Sequence, residues 1–232
     1  ANLCTPMAIV IFEHSADCSA ELLIDSLRGF GQRLRVVKLH AGAAVPADLD
    51  DVHGVVSLGG PQTVHEMNAP WMQAEMGFLR DAHGAGIPVL GLCESAMHMA
   101  SMMGANFSLV TLNEKFTARI VENVDRAGLR SRLSGVGRLK MDRLLDLKEG
   151  FTDPQARQSI IEAFLQCASP LVENGAEVVI PAGGVAMALL ADAGVHDAGR
   201  GTPILNGITA LVKMGEMAVR MNRLMDGHFV SK

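Results

Sequence analysis

The chain has 232 residues, 49% of them hydrophobic and 19% charged, with a formal net charge of −5. That length can bury a substantial core, as one large or two small domains, and no apolar run approaches the roughly 18 residues of a membrane span. The acidic balance is spread along the chain, which argues against a nucleic-acid surface.

In chain order, Met7 to Phe12 reads as a first strand. Asp17 or Ser19 can cap a helix that runs to about Phe30. Arg33 to Leu39 alternates into a second strand, and Ala41 to Asp51 is a loop of small and acidic residues. His53 to Leu58 is a third strand, turned sharply by Gly59-Gly60-Pro61, where backbone N–H groups could face a ligand. Pro70 and Trp71 open a helix that closes at Gly84 or Gly86. Ile87 to Leu92 is a short apolar strand, and the Met97/Ala100/Met103 spacing marks the helix behind it. Phe107 to Thr111 is a strand, and Asn113-Glu114 leads into a helix to about Arg126. Leu133 to Leu139 is a strand interrupted by Gly135 and Gly137, and Met141 to Leu147 is a short helical turn. Asp153-Pro154 starts a long helix by N-cap and N1 preference, which Asn174-Gly175 ends. Glu177 to Ile180, the Ala182-Gly183-Gly184 turn, a helix over Val185–Ala193, a strand at Pro203–Leu205 and a helix from about Gly207 to Met225 complete the chain.

Parts of this order recur. Gly201-Thr202-Pro203-Ile204-Leu205-Asn206-Gly207-Ile208 echoes Gly86-Ile87-Pro88-Val89-Leu90-Gly91-Leu92-Cys93, and Val179 to Gly184 echoes Val55 to Gly60. Met7 to Phe12 is likewise matched by Phe107 to Leu112, and Leu34 to Leu39 weakly by Leu133 to Leu139, so four strands repeat in the same order in two halves. The expected fold is α/β: two pseudo-symmetric flavodoxin-like or Rossmann-like halves, 1–105 and 106–232, with parallel sheets flanked by helices. The last helix is a candidate to pack back on the first half.

Ligands of open parallel sheets bind outside the carboxyl ends of the strands. The loops there supply a candidate small-carboxylate site: Gly59, Gly60, Thr111, Asn113, Gly183, Gly184 and Asn206, with the two Gly-Gly turns facing one cleft. Cys93 falls between a strand and a helix, where free N–H groups and the helix dipole favour a thiolate, and Glu94 beside it pulls the other way. The expectation is that the dipole wins. Cys4, Cys18, Cys93 and Cys167 have neither paired spacing nor a C-x-x-C, so neither a disulfide framework nor a zinc site is expected. No His recurs at i, i+4 on a helix face, and no metal or cofactor is expected. Without a basic segment and a long apolar core at the start, the default location is the cytoplasm. The Met and Ala surplus on the last helix and on the helix after Cys93 suggests a homo-oligomer.

From about Ile87 onward the chain resembles the aspartate/glutamate/hydantoin racemase superfamily. The residues that carry the likeness are Gly91-Leu92-Cys93-Glu94-Ser95-Ala96-Met97-His98, Phe107 to Thr111, Gly175 to Gly184 and Asn206-Gly207-Ile208. The resemblance implies two pseudo-symmetric α/β halves and cofactor-independent isomerisation of a small amino- or hydroxy-acid-type carboxylate. Such racemases use two Cys as opposed proton donor and acceptor. The matching turns here carry Leu58-Gly59-Gly60 and Ala182-Gly183-Gly184, so that pair is incomplete and Cys93, with Glu94 tuning it, is the remaining candidate.

From about Met7 to Cys93 the chain looks like a class I glutamine amidotransferase, through Val55 to Pro61, Pro70-Trp71 with Glu75, and Gly86 to Cys93. That resemblance implies a Cys nucleophile, but the late His-x-Glu partner is missing. Two resemblances meeting at one strand–turn–helix unit fit a chimera, natural or spliced. Three readings follow: a racemase-like isomerase, a catalytically silent α/β scaffold, or an amidotransferase-like Cys hydrolase without its partners.

Overall fold

A computed structural model describes residues 8–16, 24, 33–58, 60, 69–112, 114–139 and 146–231. The helix expected between Asp17 and Phe30 lies outside the described residues except for helical Ile24. The chain forms two compact units, Ala1–Leu92 with Leu211–Lys232, and Cys93–Ala210.

The first unit holds a parallel sheet of β1 (Ala8–Glu13), β2 (Arg33–Lys38), β3 (Val52–Ser57) and β4 (Val89–Gly91) in the order β2-β1-β3-β4. Strand β1 is buried along its whole length, as a central parallel strand must be when both sheet faces are covered. On one face Val10, Phe12, Val37 and Val55 pack with Phe78 and Ala82 of α1 (Met72–Gly84), and the Phe12 and Phe78 rings meet edge to face at 5.5 Å. On the other, Ile9, Val56 and Leu90 line a small apolar void with Leu211 and Val219.

The second unit opens with α2 (Leu92–Met103) and holds β5 (Phe107–Thr111), β6 (Leu133–Arg138) and β7 (Val179–Ala182) in the order β6-β5-β7, all parallel. Its helices are α3 (Glu114–Arg126), the short α4 (Asp146–Glu149), α5 (Pro154–Glu173) and α6 (Gly184–Asp192); α7 (Gly207–Leu224) begins here and continues into the first unit. Phe164, Ala168 and Val172 of α5 and Leu189 and Leu190 of α6 pack in one core with Val110 and Val179. The expected strand at Pro203–Leu205 is reduced to an isolated parallel bridge from Ile204 to Val179, because only Leu205 N and Val179 N find backbone partners across the pair. Counting that bridge, both sheets run second-first-third-fourth, so the repeat in the sequence is a repeat of topology. The expected α/β class with parallel sheets flanked by helices is the fold of the protein.

Two expected helix starts are set by their caps. Asp153 Oδ1 accepts from Gln155 N at 3.0 Å with Pro154 at the first helical position of α5. Asn206 Oδ1 accepts from Ile208 N at 2.9 Å and Thr209 N at 3.3 Å at the start of α7.

Candidate functional site

At the carboxyl edge of the second unit, three helix starts converge. A Cβ on Gly207 would lie 2.7 Å from Met187 Cε and 3.1 Å from Ala96 Cβ. Ala96 stands one turn into α2 from Cys93, and Met187 one turn into α6 from Gly184. Only a glycine at 207 lets α7 begin this close to the other two. Gly183 makes a similar approach: a Cβ there would lie 2.8 Å from Leu112 Cδ1, just past the end of β5. The first turns of three helices thus lie close together, and helix starts are where backbone N–H groups can receive small anions.

Cys93 lies inside the first turn of α2, with the helix beginning directly after Gly91, instead of on a turn before the helix. The residue is exposed to solvent, yet the protein around its sulfur desolvates it and pushes the thiol pKa up. That direction is opposite to the expected lowering by the helix dipole, and its cause is desolvation. Glu94 is exposed and reaches along the helix to His98, 3.9 Å away.

The other expected residues divide. Gly183 and Gly184 stand where β7 passes into α6, Gly183 with extended backbone and Gly184 opening the helix. Asn206 spends its carbonyl oxygen on the α7 cap, which leaves its amide N–H group for any other partner. Thr111 is fully buried, and its hydroxyl is engaged with Thr117 Oγ1 and donates to Gly137 O. Gly60 follows β3 in the first unit, while Gly59 and Asn113 lie outside the described residues.

The first unit carries a further group of polar side chains, of which Ser57, Trp71 and Glu75 stand among the motif residues named above while Glu13, His14, Lys38 and His40 do not. At the carboxyl ends of β1 to β3, Glu75 of α1 accepts from His14 Nε2 through both oxygens, at 2.8 and 2.9 Å, and from Ser57 Oγ at 3.3 Å. The His14 ring lies 5.2 Å from the Trp71 ring. Glu13, next in the chain to His14, accepts from His40 Nε2 at 2.9 Å, and Lys38 Nζ stands 3.8 Å away. One signal was available: Glu75 falls on the buried stripe of α1 with Met72, Phe78 and Ala82, where an apolar residue would serve packing better. Among the described residues, no cluster of three or more His, Cys, Asp or Glu has the arrangement of a metal site. No helix among them is long and apolar enough to cross a membrane.

Comparison with known proteins agrees with the fold. A hydantoin racemase from Pseudomonas sp. (strain NS671) is 31% identical over 136 residues, 59% of this chain and 51% of that protein, and the chain spans about half the length of the curated relatives it matches. The structure of an allantoin racemase from Klebsiella pneumoniae superposes with a TM-score of 0.61 at 21% identity, over 93% of this chain and 89% of that one, a likeness of fold. A glutamine amidotransferase from Methylobacillus flagellatus matches 45% of this chain and 45% of its own, at 25% identity and a TM-score of 0.36. The family model for Asp/Glu/Hydantoin racemase matches residues 77–215, more than half of the chain. The chain belongs to the Asp/Glu/hydantoin racemase family.

Proposed function

We propose that the chain is a cofactor-independent racemase-like isomerase of a small amino- or hydroxy-acid-type carboxylate. In this reading the carboxylate is held at the carboxyl edge of the second unit, and Cys93 is the proton-transferring group. The observation that carries it is the convergence of the α2, α6 and α7 starts at Gly207, with Cys93 in the first turn of one of them. Their N–H groups and the Asn206 amide would bind the carboxylate, which also favours negative charge spreading onto it when the neighbouring carbon loses its proton.

A thiol pushed up in pKa is protonated at neutral pH, so Cys93 enters the reaction as a proton donor, and abstraction draws on a minor thiolate fraction. Turnover should therefore rise toward alkaline pH. The names of the relatives suggest a hydantoin ring as the second compound class to try, since its C–H is likewise acidified by a neighbouring carbonyl.

The same edge supports a second reading. Ala182, Gly183 and Gly184 carry no side chain that can hold a proton, and a site with one acid–base group could bind without turning over. One experiment separates the two. Single enantiomers of small amino acids, 2-hydroxy acids and 5-substituted hydantoins are incubated in D2O, with exchange followed by proton NMR and configuration by chiral chromatography. Inversion of configuration that disappears in Cys93→Ala supports the isomerase, whereas binding without inversion in the parent chain supports the silent scaffold.

A further inference from the structure

We propose that the carboxyl edge of the first unit is a second acid–base site, in which His40, held by the buried Glu13 carboxylate, exchanges a proton with a small carboxylic acid. The ligand class rests on the function proposed above; the site does not use Cys93.

The side chain of Glu13 is only 3% exposed, while that of His40 is 23% exposed. A buried carboxylate thus holds one ring nitrogen of an imidazole that still reaches solvent. A carboxylate can only accept, so the proton of that 2.9 Å contact is on Nε2. In the neutral ring the lone pair is then on Nδ1. A base oriented by a buried carboxylate is the recurring arrangement of proton-transfer sites.

Position adds to the argument. Glu13 ends β1 and is in register with Lys38 at the end of β2, and His40 follows two residues later in a short 3₁₀ turn. Glu13 and Lys38 are thus the last residues of parallel strands and His40 lies just beyond one of them, at the edge where open α/β sheets hold ligands. The Lys38 ammonium, half exposed and 3.8 Å from Glu13, supplies a cation for an incoming carboxylate. The His14–Glu75–Ser57 group braces the same edge, since Glu13 and His14 are consecutive.

Two buried carboxylates are a poor way to gain stability, because burying each costs solvation that apolar side chains would not lose. In the step proposed, His40 Nδ1 forms an N–H bond as the acid's C–H bond breaks, the electron pair stays on the carbon and spreads into the carboxyl group, and the reverse transfer restores both.

The test uses the full chain and L-aspartate as the probe. Modification of each His by diethyl pyrocarbonate is followed by peptide mass spectrometry, with and without millimolar L-aspartate, in the parent and in Cys93→Ala. Occupancy of most of the site should slow modification of His40 by about threefold or more in both proteins, while exposed His53 and His83 react as before. An unchanged His40 rate with L-aspartate would overturn the proposal. Independently, the nitrogen shifts of His40 in labelled protein should report the Nε2–H tautomer, and an Nδ1–H tautomer would equally overturn it. Because protection is read in Cys93→Ala, failure of the Cys93 chemistry and failure of the His40 site give different results.

Discussion

Both carboxylate oxygens of Glu75 lie within 2.9 Å of His14 Nε2, and the two side chains are 7% and 6% exposed. The contact ties the end of β1 to α1 across 61 residues of chain. Glu75→Leu removes the carboxylate from a buried imidazole and should lower stability by about 1–3 kcal/mol. In a double-mutant cycle with His14→Leu the two losses should fail to add by more than about 0.5 kcal/mol. Urea denaturation measures both; strictly additive losses would mean that the pair does not act as a unit.

Gly207 is the second sensitive point. Met187 and Ala96 already occupy the space around it, and Met187 is 3% exposed. A methyl group there must displace the Met187 tip or the start of α7, so Gly207→Ala should destabilise by about 1–3 kcal/mol. Thermal unfolding of Gly207→Ala at parent stability would show that the three helix starts are less closely packed than described.

The Cys93 thiol has a pH signature of definite sign. Burial pushes its pKa above the ordinary 9.0, so above about pH 9 the unfolded chain releases this proton before the folded one does. The folded state then binds more protons, and stability falls as pH rises through that window; below it, the group contributes no pH dependence. Cys93→Ser should flatten this alkaline loss, and iodoacetamide labelling of Cys93 should rise later with pH than that of free cysteine. Labelling that rises earlier would restore the dipole-lowered thiol.

Asn206 separates a cap from a ligand group. Its carbonyl oxygen serves Ile208 N and Thr209 N, so Asn206→Ala should cost about 1 kcal/mol through the cap, whereas Asn206→Asp keeps the acceptor and most of the stability. Asn206→Asp also replaces the amide donor by a negative charge. It should therefore weaken binding of a small carboxylate, read by calorimetry, with little loss of fold. Unweakened binding in this variant would remove Asn206 from the ligand.

The sequence alone determined whatever depends on neighbours along the chain. Apolar runs with Gly and Pro punctuation located the described strands to within a residue or two, Asp153-Pro154 marked the start of α5, and the repeated segments anticipated one strand order in both sheets, because backbone pairing and capping are local chemistry. Tertiary structure decided what depends on distant neighbours and on solvent. It brought His14 to Glu75 and Glu13 to His40 across 61 and 27 residues, and neither pair has a spacing that periodicity can register. It turned the Thr111 hydroxyl inward and reduced Pro203–Leu205 to a bridge, since burial and strand pairing are set by the surrounding elements. It also reversed the expected direction for the Cys93 thiol, because helix position can be read from sequence whereas desolvation depends on every atom packed around the sulfur.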